Sequence, residues 1–159
     1  MFRKLFPLAI GAFSLIAVLA PYTAAAAGSV TRESVSNVRD ATAGFNDPSA
    51  ALANGYDLLT DASGLACIDQ SGDGAMGIHY VKGALVQAGT IDAAHPQALV
   101  YERTAQGKLE LAAVEYVVLQ AGWDAAHDGP PTMFGQQFML TPEGNRYGLP
   151  AFYSLHAWV

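Results

Sequence analysis

The sequence predicts an α+β fold in which two short N-terminal helices pack on a curved antiparallel sheet or a small β-barrel. Two observations lead to this prediction. Helix start and stop signals are concentrated in residues 34–55, whereas apolar segments separated by glycine-containing turns fill the chain from Thr60 onward. Helices followed by a run of strands are typical of α+β domains rather than of folds that alternate strand and helix.

The N-terminal segment has the layout of a secretory signal peptide. Arg3 and Lys4 precede an apolar run over residues 5–20, and an alanine cluster follows. This order of charged, apolar and small residues is typical of a cleaved export signal, and the run is shorter than the about 20 residues that a spanning helix needs. We therefore expect a signal peptide over residues 1–27 and a single domain over residues 28–159, secreted or periplasmic.

The net charge of the chain indicates which classes of binding partner to expect. Without Arg3 and Lys4, six basic side chains stand against 14 acidic ones, which gives a net charge of −8. An acidic chain is repelled by nucleic-acid phosphates and by anionic lipid surfaces. We therefore expect no nucleic acid and, after signal removal, no membrane as a partner, while the oligomeric state stays open. Cys67 is the single cysteine, and we expect a buried or half-buried thiol there.

Two helix signals follow the signal segment. Ser34 is a candidate N-cap for a helix from Val35 to Gly44. Asp47 and Pro48 form an N-cap followed by proline at the first helical position, and Gly55 is the residue type that commonly follows a helix end.

Five apolar segments predict the strands. They cover residues 76–81, 98–103, 109–119, 134–140 and 151–159. The stretch from Thr104 to Lys108 predicts a hairpin turn between the second and the third strand, since it is short and contains glycine. Residues 82–97 and 120–132 are predicted as long loops.

Glu115 is the unexpected residue of the third predicted strand. At a period of two it shares a strand face with Leu109, Leu111, Ala113 and Val117. A carboxylate buried alone costs several kcal/mol, roughly, so it needs a hydrogen bond, an ion pair, a metal or a proton.

Other predicted strands also carry polar or aromatic side chains on apolar faces. If these faces point inward, they form a mixed polar and aromatic pocket, which is typical of ligand sites. The predicted ligand-binding residues are His79, Glu115, Gln136, His156 and Trp158. Tyr116 lies on the opposite face of its strand, so its membership is left open. No catalytic residue is assigned.

Three of these residues are also a candidate metal site. Two imidazoles and one carboxylate suit zinc or non-haem iron, so His79, Glu115 and His156 predict one divalent transition metal as a cofactor. The histidines have no local spacing motif, and three functions therefore stay open. They are a small-molecule or metal-binding domain, a metal-dependent enzyme with a 2-His-1-Glu site, and a structural or interaction protein with a buried Glu–His pair.

Several segments carry a family resemblance. They are "GAMGIHYV", "ALVYE", "LAAVEYVV", "FGQQF" and "RYGLPAFYSLHAW". Together they resemble a family of uncharacterised exported bacterial proteins, over a region from about Ala41 to the C-terminus. The resemblance implies export but no activity, cofactor or catalytic residue. It also implies that similar chains continue past the "LHAW" segment, where a partner for Cys67 would be expected.

Overall fold

The computed structural model describes residues 27–70 and 74–159, a part of the chain that forms four helices and nine strands. The helices are α1 (Ala27–Thr42), α2 (Pro48–Ala53), α3 (Gly83–Ala88) and α4 (Gln120–Asp124), and a 3-10 turn (Ala43–Phe45) follows α1. The strands are β1 (Asp57–Leu58), β2 (Cys67–Gln70), β3 (Gly74–Val81), β4 (Ala98–Arg103), β5 (Leu109–Leu119), β6 (Thr132–Met133), β7 (Gln136–Gln137), β8 (Met139–Thr141) and β9 (Phe152–Trp158). The predicted signal peptide lies outside the described residues, apart from Ala27.

An open antiparallel sheet dominates the fold. Its strands follow the order β1-β3-β4-β5-β9-β8, and β2 pairs with β3 beside this path. The mixed helix and sheet class is confirmed, but the alternative of a β-barrel is wrong. The outer strands β1 and β8 are only two and three residues long and do not pair with each other in the described chain, so the sheet keeps two edges.

The helical region packs one face of the sheet. Asp47 accepts a hydrogen bond from the Ser49 amide at 2.8 Å, which caps α2, and α2 contributes Ala51 to the core. Helix α1 spans the predicted cap Ser34, and it contributes Val38 close to its C-terminal end. The predicted packing of two N-terminal helices on the sheet is not supported; the described contribution of α1 to the core is Val38.

A β-bulge in the centre of the sheet changes the faces of β5. Val100 of β4 pairs with Ala113, but the next residue, Tyr101, pairs with Leu111, so Ala112 is left over. Paired residues share a face and successive residues alternate. Leu111 therefore lies on the core face with Tyr101, whereas Ala113 and Glu115 lie on the other face. The prediction that Glu115 shares a face with Ala113 and Val117 is confirmed, but the prediction that it points the same way as Leu109 and Leu111 is wrong.

The C-terminal half also differs from the predicted elements. The predicted strand over residues 134–140 is not continuous: Phe134 and Gly135, with φ values of 53° and 74°, form a turn, and the rest divides between β7 and β8. Two successive positive φ angles make the tight turn that joins β6 to β7. The predicted loops over residues 82–97 and 120–132 contain helices α3 and α4.

Among the helices of the described segments, none combines the length and the apolar composition that crossing a membrane requires.

Candidate metal centre

Three strands bring His79, Glu115 and His156 together, and these residues are called the triad below. Glu115 of β5 is paired directly with His156 of β9. His79 lies on β3, two strands away from Glu115, and the intervening strand β4 places Val100 opposite His79 and Ala98 opposite Glu115. The pairing puts all three side chains on the sheet face that points away from the core.

Ala98 is the residue of β4 that is paired with Glu115 on the triad face, and its side chain is small. Ala98 is fully buried and pairs with Val81 on one side and with Glu115 on the other. Neighbouring strands lie about 4.8 Å apart, so a residue two strands away is reached only across the side chain between them.

The polar atoms of the triad lie close together, with one long hydrogen bond between the two histidines and nitrogen–oxygen distances slightly beyond hydrogen-bond range. Nε2 of His79 lies 3.4 Å from Nε2 of His156 and 3.6 Å from Oε2 of Glu115. Nε2 of His156 lies 3.7 Å from Oε1 of Glu115. Hydrogen bonds of this kind are normally about 2.7–3.2 Å long. One candidate ligand atom from each residue lies within 4.8 Å of the others.

The triad is largely removed from solvent. The side chains of His79, Glu115 and His156 are 3%, 12% and 23% exposed. Burial lowers the pKa of His79; the Glu115 carboxylate opposes this shift, and His156 adds to it. His79 is therefore favoured as a neutral imidazole, the form that binds metals. The Gly77 backbone also raises this pKa slightly, although Nδ1 of His79 is buried without a hydrogen bond of acceptable geometry.

A cavity of about 780 Å³ lies against the triad and is called the cavity below. The sheet supplies the triad and Val117, Leu119 and Phe152 to its lining, while the loop after β8 supplies Asn145, Arg146 and Tyr147. This volume lies within the range of small-molecule sites, about 300–1,000 Å³. The cavity beside the triad is thus lined by both polar and apolar side chains.

Two predicted site residues lie elsewhere. Gln136 is exposed on β7 in the separate two-stranded sheet, because the turn at Phe134 removes it from the main sheet. Trp158 shares a strand face with His156, but it is 66% exposed and does not line the cavity. Tyr116 is buried on the core face, where its hydroxyl donates to the Ala93 carbonyl at 2.8 Å.

The sequence interpretation missed the ion pair at the cavity. Nη2 of Arg146 donates to Oδ2 of Asp61 at 2.8 Å, and Asp61 also accepts from the amides of Ser63 and Leu65. These hydrogen bonds, from Arg146 first, hold the pKa of Asp61 below its ordinary value. No spacing pattern signals a contact between residues 85 positions apart.

Tyr147 was also missed. It lines the cavity next to Arg146, and burial raises the pKa of its hydroxyl, with the Glu115 carboxylate adding to the shift. Its position in a turn with glycine and asparagine gave no sign of a site.

The other histidines and the cysteine lie away from the triad. Nδ1 of His95 pairs with Oδ2 of Asp92 at 2.8 Å on the surface, and the His127 ring stacks on Trp123 with centroids 3.8 Å apart. Cys67 is exposed, so the expected burial of its thiol is wrong.

Comparisons with protein-family models, with curated proteins and with solved structures find no match to this chain.

Proposed function

We propose that this chain is an exported domain that binds one divalent transition metal through His79, Glu115 and His156 and a small molecule in the adjoining cavity. The observation that carries the proposal is the convergence of the triad on one point. Around a tetrahedral zinc ion with ligand distances of about 2.0–2.2 Å, neighbouring ligand atoms are about 3.3–3.6 Å apart. The closest polar atoms of the triad are 3.4, 3.6 and 3.7 Å apart; the last two distances end on different oxygens of Glu115, and one ligand atom from each residue lies within 4.8 Å of the others.

The same distances weigh against a purely structural Glu–His pair. In such a pair the carboxylate and an imidazole would be in hydrogen-bond contact, which stabilises both buried groups. Here both nitrogen–oxygen distances exceed that range, and the gap is one that an ion would fill. The neutral form favoured for His79 supports the proposal further, because an imidazole binds metal without its second proton.

A metal-dependent enzyme with the same three ligands is the second candidate. Three protein ligands leave at least one coordination position for water or substrate, which is typical of catalytic zinc sites. The cavity beside the triad favours this candidate, since a substrate would have access. Zinc-loaded protein should then hydrolyse an activated ester faster than free zinc does, and the Glu115→Gln variant should not.

Metal titration tests the proposal. The chain is purified without a histidine tag, treated with chelator, dialysed and titrated with Zn²⁺ by calorimetry. We expect one equivalent to bind, and His156→Ala to abolish this binding. The matched control is His95→Ala, which removes a histidine that is paired with a carboxylate on the surface.

Cobalt supplies a second readout. Co²⁺ in place of Zn²⁺ should give the visible absorption bands of a low-coordinate site, and these bands should be lost in His156→Ala and kept in His95→Ala. Failure of the wild-type chain to take up Zn²⁺, Co²⁺, Cu²⁺ or Fe²⁺, or equal uptake by the His156→Ala variant, would overturn the proposal.

A further inference from the structure

The triad lies at one end of an apolar strip on the cavity face of the sheet. Val117 and Leu119 follow Glu115 at a period of two along β5. Val117 is paired with Ser154, and Leu119 is paired with Phe152, on β9. Four residues of strand span about 13 Å, so the strip extends by that length from Glu115 to Leu119.

Other elements extend this apolar surface. Leu59 from the loop after β1, Val86 from α3 and Leu149 from the loop after β8 line the same cavity. A hydrocarbon group is stabilised on such a surface by about 25 cal/mol for each Å² removed from water. The cavity therefore favours a ligand with a hydrocarbon chain next to the triad.

The charges of the lining favour one kind of head group. Among the described residues that line the cavity, the acidic and basic side chains other than histidine are Glu115 and Arg146. Arg146 is paired with Asp61 at 2.8 Å, so these two charges balance each other. A divalent ion held by one carboxylate and two neutral imidazoles leaves a single positive charge, which a monoanion neutralises.

We infer that the cavity takes an aliphatic monocarboxylate, whose carboxylate ligates the metal of the triad and whose hydrocarbon body lies along Val117, Leu119 and Phe152. The inference rests on the proposed metal site and adds the class of ligand. A neutral alcohol of equal length lacks the negative charge that would ligate the metal, and acetate lacks the hydrocarbon chain that would lie along the strip.

Calorimetry on zinc-loaded protein tests the ligand class, with octanoate as the probe and octanol and acetate as controls. We expect octanoate to bind at least tenfold more tightly than either control. Affinity should rise about fourfold for each methylene from butyrate to octanoate, which corresponds to the burial of one methylene. Equal binding of octanoate and octanol, or equal binding of octanoate to zinc-free protein, would overturn the inference.

Variants of the strip separate this inference from the metal site. Val117→Asn and Leu119→Gln should each weaken octanoate binding at least tenfold while one equivalent of zinc still binds, and the zinc stoichiometry reports that each variant is folded. Leu140→Gln is the control, since Leu140 is exposed on β8 and does not line the cavity. Normal zinc binding with unchanged octanoate binding in both strip variants would contradict the inference alone. Absence of zinc binding in the wild type would instead remove the proposed function.

Discussion

Glu115 and His156 are direct partners across β5 and β9, yet the carboxylate oxygen Oε1 and the imidazole nitrogen Nε2 are 3.7 Å apart. The backbone thus brings the two groups together while their polar atoms stop short of a hydrogen bond. Nε2 of His79 forms a 3.4 Å hydrogen bond with the same nitrogen, so the polar atoms of all three groups lie close together. This relationship underlies the first two predictions below.

Glu115→Gln should remove metal binding without unfolding the protein. The amide keeps the shape of the side chain but loses the negative charge that a divalent ion needs, so zinc affinity should fall at least about 100-fold. Thermal melts should show that zinc at about 100 times its dissociation constant raises the melting temperature of wild type by about 5–10 °C and that of the variant far less. A large drop in the metal-free melting temperature, with the zinc effect retained, would indicate a structural pair instead.

Ala98→Leu should weaken zinc binding although it removes no ligand. The added side chain occupies the row between Val81 and Glu115, where Ala98 is fully buried. We expect zinc affinity, measured by calorimetry, to fall at least about tenfold. Changes that disturb the orientation of a metal ligand typically lower metal affinity by about 10–100-fold.

Tyr116→Phe is the matched control for Ala98→Leu on the core face. It removes the hydrogen bond to the Ala93 carbonyl and should lower the free energy of unfolding by about 1 kcal/mol. Zinc affinity should be unchanged. If Tyr116→Phe weakened zinc binding as strongly as Ala98→Leu, the loss of affinity would reflect general destabilisation of the fold rather than the larger side chain beside Glu115.

Gly77→Ala should be strongly destabilising. Gly77 has a φ of +84°, and a Cβ there would lie 2.8 Å from Cγ1 of Val100 and 2.9 Å from the Tyr101 carbonyl oxygen. Left-handed strain and overpacking together should cost about 3 kcal/mol in urea unfolding. Gly107→Ala is the control, because Gly107 has a φ of +81° with nothing within 4 Å, and it should cost only about 1 kcal/mol. Equal losses in both variants would mean that the contact with Val100 and Tyr101 contributes nothing.

Asp61→Asn should change how stability depends on pH. The pKa of Asp61 is held below its usual 3.8 by Arg146 and by the Leu65 and Ser63 amides. A carboxyl with a lowered folded pKa contributes stability that is present above the unfolded pKa and is lost as the pH falls through the folded pKa. Urea unfolding should therefore show wild type more stable than the variant at pH 7, with the difference shrinking below about pH 4. A difference that stays constant from pH 7 to pH 3 would exclude a charge effect.

The sequence predicted the two central strands well because the signals that define them are local. The bounds of β4 and β5 are confirmed at residues 98–103 and 109–119, and the Asp47 cap with Pro48 is confirmed at the start of α2. These features depend on local chemistry, namely β-branched and aromatic runs, a short turn and a capping carboxylate. The choice of His79, Glu115 and His156 as partners also came from local face patterns.

The sequence by itself determined which residues could form strands and which polar side chains would need explanation inside a sheet. Only the tertiary structure decided the face on which Glu115 lies, since the bulge that leaves Ala112 unpaired arises from the mismatch between two strands. It also decided that His79, Glu115 and His156 meet on one sheet face, and that Gln136 lies in a separate two-stranded sheet after the turn at Phe134. Each of these outcomes depends on contacts between segments far apart in the chain, which periodicity along one strand does not encode.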